Sequence, residues 1–455
     1  MVGRSVHTTY SRLFQNRSFV ALWLGQTISF IGDYFYFLAI PIMVEKLTGS
    51  TMMVGLSVIS SALPMLLLGP VAGVFVDRWD RKRTMFVADI LRAALVLACL
   101  LVQRPDQVWI YYLVGFLMSS VSRFFFPAQN ALLPLIVADR NDLLAANGLM
   151  QIVQTVGLLI GPALAGFSIG IWGEQVAFLA DSATYLVSAA AILAIRAPRT
   201  TIKAQAAGSQ VRAVLMEMQE GVRYLFGNRT MVGVLLCLAV VQLGLGAINV
   251  AWVPFMQRTF GLGPEGLGAV DTAQGVGMVM GGLLLGILAG RFAKRPLAGW
   301  SILLIGVMIA LIGLAPSVSV GTLLQVGSAG VNPATLSVGQ RLLFVPLVLL
   351  AASAILGVAL VPAQSSVMTM MQLAVPDLKR GRVGSALNAI TTAAGLLTMA
   401  ITAALGELVP MRAIYVVAGL VVGAGGLVAL RVMEEPEAGI EGPVEGMTLA
   451  KAGGE

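Results

Sequence analysis

Long apolar segments alternate with short polar ones along almost the entire chain. A transmembrane helix needs about 20 apolar residues to cross a hydrocarbon core of about 30 Å. The period-two alternation of membrane β-strands is absent, and lipid accepts strands only as closed barrels. We therefore predict an all-α membrane protein with twelve transmembrane helices, which cover approximately 18–45, 52–76, 84–103, 108–126, 143–171, 174–195, 231–256, 265–290, 297–316, 341–372, 383–406 and 411–432.

An internal repeat divides these spans into two halves. The stretch 33–82 returns 213 positions later, so that Pro41 aligns with Pro254 and Gly55 with Gly268. Two parallel repeats of this kind place a substrate path at their interface near the bilayer midplane. We predict two pseudo-symmetric six-helix bundles and divide the chain into an N-terminal tail (1–17), a first bundle (18–196), a linker with an amphipathic helix (197–230), a second bundle (231–433) and a disordered C-terminal tail (434–455).

Composition and charge support this topology. With 58% hydrophobic and 11% charged residues and a mean hydropathy of +0.89, the soluble globular classes are excluded. Most of the 29 basic residues fall in segments on one side, and the other side holds Lys46, Arg104, Arg258, Arg341 and Arg412. The positive-inside rule then places both termini in the cytoplasm of a bacterial-type plasma membrane. The net charge of +7 reflects this asymmetry, and we expect no nucleic-acid partner.

The residues of common catalytic and metal sites are missing. The histidine, His7, lies in the N-terminal tail, and Cys99 and Cys237 lie in apolar spans of opposite halves. The sequence has neither a Walker-type phosphate loop nor an HExxH pair. We expect no enzyme activity, no metal and no cofactor. Because the histidine lies in the tail, carboxylates are the candidate proton carriers within the membrane. A membrane assembly or sensor protein is an alternative, but it does not require the repeat.

The most specific motif lies at the cytoplasmic end of span 2 and returns after span 8. It places a small residue where helices approach each other, an acid at the helix end and then a basic turn. Its residues are Gly73, Asp77, Arg78, Arg81 and Lys82 in the first half and Gly286, Arg291, Lys294 and Arg295 in the second, where Gly290 replaces the acid.

This motif resembles the signature of the major facilitator superfamily between helices 2 and 3, and the resemblance covers nearly the whole chain. It implies a secondary transporter that alternates between inward-open and outward-open states. It also implies that Asp77 latches one state by binding the positive end of a helix in the other half. The alternative is that Asp77 and Arg81 merely end the helix at the membrane surface.

Span 5 carries a second motif, in which small residues permit close helix packing and a proline permits a bend. It resembles the antiporter motif of the superfamily, with Ala165 in place of one glycine, and thereby implies export by drug–proton exchange. Ordinary close packing of helices is the alternative. The residues are Gly148, Gly157, Gly161, Pro162 and Gly166.

The phrases at 24–33, 126–129 and 221–225 resemble the macrolide-efflux and siderophore-export branch of the drug–proton antiporters. That resemblance implies a monomer that exports an amphipathic, drug-like or siderophore-like small molecule in exchange for protons. Span 4 lacks the mid-span arginine of many proton-coupled exporters, since Arg123 lies near its cytoplasmic end. A carrier of lipids or lysophospholipids and a facilitator without ion coupling are the alternatives.

Span 1 offers candidates for binding substrate or protons. Gln26, Ser29, Asp33 and Tyr36 form a polar stripe at helical spacing, which we expect to face a cavity. Burial favours the neutral form of a carboxylic acid, so Asp33 is the candidate proton carrier. The alternative is an acid that hydrogen-bonds to a neighbouring helix for structural reasons.

Further polar residues are candidates for the cavity lining. They are Gln242 and Asn249 in span 7, Gln151 and Gln154 in span 5, and Asn388 and Thr392 in span 11. Four other charged residues lie within the predicted spans. We expect Asp89 and Arg92 to form a structural pair, Asp181 to lie away from the substrate, and Asp271 to be an interface residue or an external gate.

Overall fold

A computed structural model describes residues 2–76, 78–137, 139–197, 207–288, 292–316 and 337–433. Within these ranges the regular structure is helical, and twelve helices are long and apolar enough to cross a membrane. The predicted all-α class and the twelve spans are therefore confirmed. Asp77, Gly290, Arg291, residues 198–206 of the linker and the tail 434–455 lie outside the described residues.

We number the spanning helices α1 to α12. Their bounds are Arg17–Thr48, Thr51–Val76, Arg81–Ala98, Trp109–Ile136, Arg140–Trp172, Glu174–Ala194, Arg229–Phe260, Pro264–Leu288, Lys294–Leu314, Leu347–Ala374, Asp377–Leu405 and Met411–Val432. Among the described residues, three further α-helices cover Val2–Gln15, the linker segment Ala207–Gly227 and the short segment Val338–Leu342.

The first helix of each half begins and ends in the same way. Asn16 caps α1 by accepting the backbone N–H groups of Ser18 and Phe19, and Asn228 accepts the N–H of Met231 at the start of α7. Both helices end at a left-handed glycine, Gly49 with φ 59° and Gly261 with φ 66°. Each is 32 residues long, so the repeat in the sequence is a repeat of structure.

Helix packing divides the molecule into two bundles. In the first half α1 packs on α5 and α6, and α4 packs on α2 and α3; in the second half α7 packs on α11 and α12, and α10 packs on α8 and α9. The halves meet where α5 packs on α8 and where α2 packs on α11. We call the end of the molecule where α1 begins and α12 ends the proximal end, and the opposite end the distal end.

Glycines show where the halves touch along their length. A methyl group built on Gly166 would lie 2.5 Å from the carbonyl oxygen of Pro264, and one built on Gly268 would lie 2.4 Å from that of Pro162. Both contacts join the distal parts of α5 and α8. Methyl groups built on Gly148 and Gly286, near the proximal ends of the same helices, would meet no described atom within 4 Å.

Helices α2 and α11 show the same gradient. A methyl group on Gly55, near the distal end of α2, would lie 2.4 Å from the Cβ of Ala403, whereas one on Gly73 would meet nothing within 4 Å among the described residues. The described contacts between the halves thus concentrate in the distal part of the molecule.

Candidate functional site

A cavity of about 610 Å³ lies between the two halves, in their distal part. Its wall is largely apolar and aromatic, with a few hydroxyl, amide and carboxyl groups, as is usual for small-molecule sites. Residues from both halves contribute, including Tyr36, Phe37, Val58, Ser57, Ser61, Leu245, Asn249, Trp252, Val253, Asp271, Gln274, Ser353, Leu356, Met399 and Tyr415.

Four pairs of lining residues are related by the internal repeat. Tyr36 and Asn249 both line the cavity, and they are 213 positions apart. The same offset relates Ile40 to Val253, Val58 to Asp271 and Ser61 to Gln274, all of which also line it. Equivalent helix faces of the two bundles therefore form opposing walls of one cavity, as the two-repeat architecture requires.

Asp271 is the carboxylate of this cavity. Among the described residues that line it, no Lys, Arg or His is present, and Asp271 is the sole acid. The side chain is half-buried near the distal end of α8, and no described basic residue forms an ion pair with it. The hydroxyl of Tyr415 is buried and lacks a hydrogen-bond partner among the described residues.

Asp33 belongs to a different site, inside the first half. The Tyr185 hydroxyl of α6 donates a hydrogen bond to Asp33 Oδ1 at 2.5 Å. A methyl group on the adjacent Gly32 would lie 2.9 Å from Oδ1 of Asp181, so α1 passes directly over that buried carboxyl. The second oxygen of Asp181 has no hydrogen-bond partner among the described residues.

The pair of Asp89 and Arg92 on α3 completes this site. Arg92 Nη2 lies 2.7 Å from Asp89 Oδ1, and both side chains are almost fully buried. The Arg92 guanidinium lies 4.1 Å from the Phe125 ring centre and 4.9 Å from that of Tyr185, at cation–π distance. We call Asp33, Asp89, Asp181, Arg92 and Tyr185 the buried acid cluster; it holds three carboxyl groups and one guanidinium.

The residues of the predicted polar stripe on α1 face two different surroundings, helix α6 and the cavity. Gln26 donates a hydrogen bond to the Ser188 hydroxyl of α6 at 3.0 Å, and Ser29 is buried. Asp33 also points to α6. Of the four stripe residues, Tyr36 alone is among the described residues that line the cavity.

The other predicted lining residues are spread over the second half and α5. Asn249 lines the cavity, while Gln242 lies close to Gly395 of α11. Gln151 and Gln154 are exposed and bonded to each other at 3.4 Å. Asn388 is exposed and Thr392 half-buried on α11, outside the described cavity lining.

The repeated basic motif has a structural function at two of its positions. Lys82 Nζ donates to the carbonyl oxygens of Leu193 and Ile195, at 2.8 and 2.6 Å, where α6 ends. Its repeat equivalent Arg295 donates to the Leu430 carbonyl near the end of α12. Both cations thus bind the negative end of the last helix in their half. Arg78 follows α2, Arg81 begins α3 and Lys294 begins α9.

The glycines of α5 serve two interfaces. Methyl groups on Gly157 and Gly161 would lie 2.7 and 2.4 Å from the rings of Phe30 and Tyr34 on α1, within the first half. Gly166 and the carbonyl oxygen of Pro162 instead contact α8 in the second half. The motif therefore permits close packing both inside a bundle and across the interface.

Ion pairs across the interface lie at the distal end, beside the cavity. Arg258 of α7 binds Glu45 of α1 with two hydrogen bonds of 2.6 and 2.9 Å, and it donates to the Gly49 carbonyl at 2.7 Å. Glu407 lies 3.8 Å from Arg258 and accepts the backbone N–H of Thr51 at 2.5 Å. We call Glu45, Arg258 and Glu407 the distal ion network.

Sequence reasoning missed this network and the position of Asp271 in the cavity. Both have a signal in the internal repeat. Glu45 and Arg258 are opposite charges at one repeat position, and Asp271 is the repeat equivalent of Val58.

Comparison with known proteins identifies the family. The family model of the Major Facilitator Superfamily matches residues 22–242 and 234–452. Macrolide efflux protein A of Streptococcus pyogenes is 29% identical over 301 residues, which are 66% of this chain and 73% of that protein. The uncharacterized MFS-type transporter YfiS of Bacillus subtilis is 28% identical over 421 residues, 92% of this chain and 94% of that protein.

A solved structure shares the fold. A mutant of the nucleoside transporter NupG has a TM-score of 0.69 at 13% identity, and the match covers 92% of this chain and all of that one. Together with the two six-helix bundles and the cavity between them, these matches identify a transporter rather than an enzyme. The chain belongs to the Major Facilitator Superfamily.

Proposed function

We propose that this protein exports an amphipathic small molecule across the plasma membrane in exchange for protons, with both termini in the cytoplasm. The observation that carries the proposal is the cavity between the halves, whose lining is paired by the repeat and whose distal side is bridged by ion pairs. A wall that combines many apolar and aromatic groups with few polar ones suits an amphipathic cargo.

The distribution of basic residues supports this orientation. Under the positive-inside rule the proximal end faces the cytoplasm, because the basic segments before α1, after α2 and after α8 lie there. The contacts at Gly55 and Gly166 then lie toward the outside. Gly73, Gly148 and Gly286, where an added methyl group would meet no described atom within 4 Å, lie toward the cytoplasm. This arrangement supports loading of cargo from the cytoplasm. The printed function of the relative from Streptococcus pyogenes, macrolide efflux, agrees with export.

The buried acid cluster is the proposed proton site. A carboxylate buried away from water is stable only with a charge partner, and one guanidinium cannot neutralise three carboxylates. Arg92 already binds Asp89, so Asp33 and Asp181 are the acids that bind and release a proton. Tyr185 and Arg92 are the other ionisable groups of this cluster that face them.

Helix α1 connects this proton site to the cavity. Asp33 contacts α6, and Tyr36, three positions further along the same helix, lines the cavity. A change in the charge of Asp33 alters its bond to Tyr185 and thereby the packing of α1 on α6. We propose that this movement couples protonation to the shape of the substrate site.

Everted membrane vesicles provide the test. A pH gradient with the vesicle interior acidic should drive uptake of labelled erythromycin or of ethidium by the wild type, and Asp33→Asn should abolish the gradient-driven part. Asp106→Asn is the matched control, because Asp106 is an exposed acid outside both sites. Normal gradient-driven uptake by the Asp33→Asn protein would contradict the proposed proton site.

Three other results would replace the proposal. Uptake that persists after the pH gradient is collapsed would indicate a facilitator without ion coupling. Movement of labelled lysophosphatidylcholine, without movement of either drug, would indicate a lipid carrier. ATP hydrolysis by the purified protein would exclude secondary transport altogether.

A further inference from the structure

The charge of the cavity wall is unbalanced. Its described lining includes the carboxyl group of Asp271 and no basic side chain. A half-buried carboxylate in an apolar wall has lost much of its hydration, and no described cation replaces that hydration. Such a group is a costly feature in the membrane and indicates a functional site.

The internal repeat shows that the charge is not required by the architecture. The equivalent wall position in the first half is Val58, which also lines the cavity. The two bundles therefore present the same surface with an apolar residue on one side and an acid on the other. Asp271 is also separate from the buried acid cluster, which lies within the first half between α1, α3 and α6.

The groups around the cavity suit a cation with an apolar body. Aromatic rings of Tyr36, Trp252 and Tyr415 contribute to the wall, and aromatic faces attract ammonium groups. The Tyr415 side chain is 1% exposed, its ring stacks on Phe255 at 4.1 Å, and its hydroxyl has no hydrogen-bond partner among the described residues. The site thus offers an acceptor, aromatic faces and a hydroxyl without a described hydrogen-bond partner.

We propose that Asp271 binds the ammonium group of the substrate, so that the cavity selects lipophilic amines and quaternary ammonium ions over neutral and anionic molecules of the same size. The inference rests on the proposed function in one respect, namely that this cavity is the substrate site. It deepens that function by assigning the chemical class of the cargo and the residue that selects it.

Binding of two matched probes tests this assignment. Both are dansyl compounds of one length; one ends in a trimethylammonium group and the other in a neutral tert-butyl group of nearly the same shape. Dansyl fluorescence reports their Kd for the full-length protein in nanodiscs. We expect the wild type to bind the ammonium probe more tightly than the neutral one, and Asp271→Asn to raise the Kd of the ammonium probe by at least about tenfold. The Kd of the neutral probe should change by less than about twofold.

Two further variants separate charge from shape. Asp106→Asn removes an exposed acid and should change neither Kd. The double variant Asp271→Asn/Gln274→Glu moves the carboxylate along the same wall of α8 and should restore the preference for the ammonium probe.

Three results would overturn the proposal. They are equal affinity of the wild type for the two probes, an unchanged ammonium Kd in Asp271→Asn, and an equal loss for both probes, which would indicate a packing role. The first needs no variant, so it decides the matter even if Asp271→Asn does not fold. These measurements use no gradient, so a failure of proton exchange in vesicles is distinguishable from a failure of ammonium selection.

Discussion

Glu45 and Arg258 occupy one position of the internal repeat and bind each other across the interface of the two halves. They are 213 positions apart, and their two hydrogen bonds of 2.6 and 2.9 Å join α1 to α7 at the distal end. A pseudo-twofold arrangement brings equivalent residues face to face, where like charges would repel and opposite charges attract. This pair therefore stabilises the state in which the distal side is closed.

Removing the pair should open the distal end. Arg258→Gln removes the charge that binds both Glu45 and Glu407. Because Arg258 is about one third exposed, we expect Arg258→Gln to destabilise the distal-closed state by about 1 to 2 kcal/mol. Spin labels on cysteines introduced at Met52 and Leu408, both exposed at the distal end, report the distance by double electron–electron resonance.

The control for this experiment breaks an ion pair within one half. Lys46 lies 2.8 Å from Glu174, and both belong to the first bundle. Lys46→Gln should leave the distance distribution between the labels unchanged, whereas Arg258→Gln should add a longer component. Identical distributions for the two variants would show that the distal ion network does not hold the halves together.

The buried pair of Asp89 and Arg92 should govern stability. Arg92→Met leaves Asp89 buried without its cation, and removing one partner of a buried pair costs about 3 to 5 kcal/mol. The double variant Asp89→Asn/Arg92→Met should recover part of this loss, since no unpaired charge remains on α3. Thermal unfolding in detergent measures the stability of both variants. A double variant no more stable than Arg92→Met would contradict the assigned pairing.

The contact between α5 and α8 should reject a larger side chain. Gly268→Leu adds atoms where a methyl group would already lie 2.4 Å from the Pro162 carbonyl, and we expect a loss of about 1 to 3 kcal/mol. Gly286→Leu lies on the same helix, where an added methyl group would meet no described atom within 4 Å, and it should change stability by less than about 0.5 kcal/mol. Equal effects in thermal unfolding would show that the distal contact is not tight.

The linker helix Ala207–Gly227 should loosen when Arg382 is removed. Arg382 of α11 lies 2.7 Å from Glu220 and 3.4 Å from Glu217, both on that helix. These pairs are partly exposed, so we expect Arg382→Ala to cost about 0.2 to 1 kcal/mol per pair. Hydrogen exchange of 216–227 should become faster, whereas Arg83→Ala, which removes an exposed base, should leave it unchanged. Unchanged exchange in Arg382→Ala would mean that apolar packing alone holds the helix.

The twelve spans were predictable because lipid imposes one strong requirement, a long apolar helix. The side-chain partners were harder to predict, as α1 shows. Its polar stripe specifies a helix face, but that face is wide enough to meet both α6 and the cavity. Gln26 and Asp33 therefore bind α6, while Tyr36 lines the cavity.

The repeat carries more information about the site than the polar residues do. Asn249 is the repeat equivalent of Tyr36, and both residues line the cavity. The same reasoning applied to Val58 and Ser61 would have pointed to Asp271 and Gln274. The shared fold does not determine which of two equivalent positions bears the charge.

The most direct measurement of the central claim is proton movement during transport in proteoliposomes. A pH-sensitive dye inside the vesicles reports protons while the ammonium probe moves down its own gradient. Exchange predicts that protons move in the direction opposite to the probe, and that Asp33→Asn abolishes the proton signal. Probe movement without any proton movement in the wild type would contradict proton-coupled export.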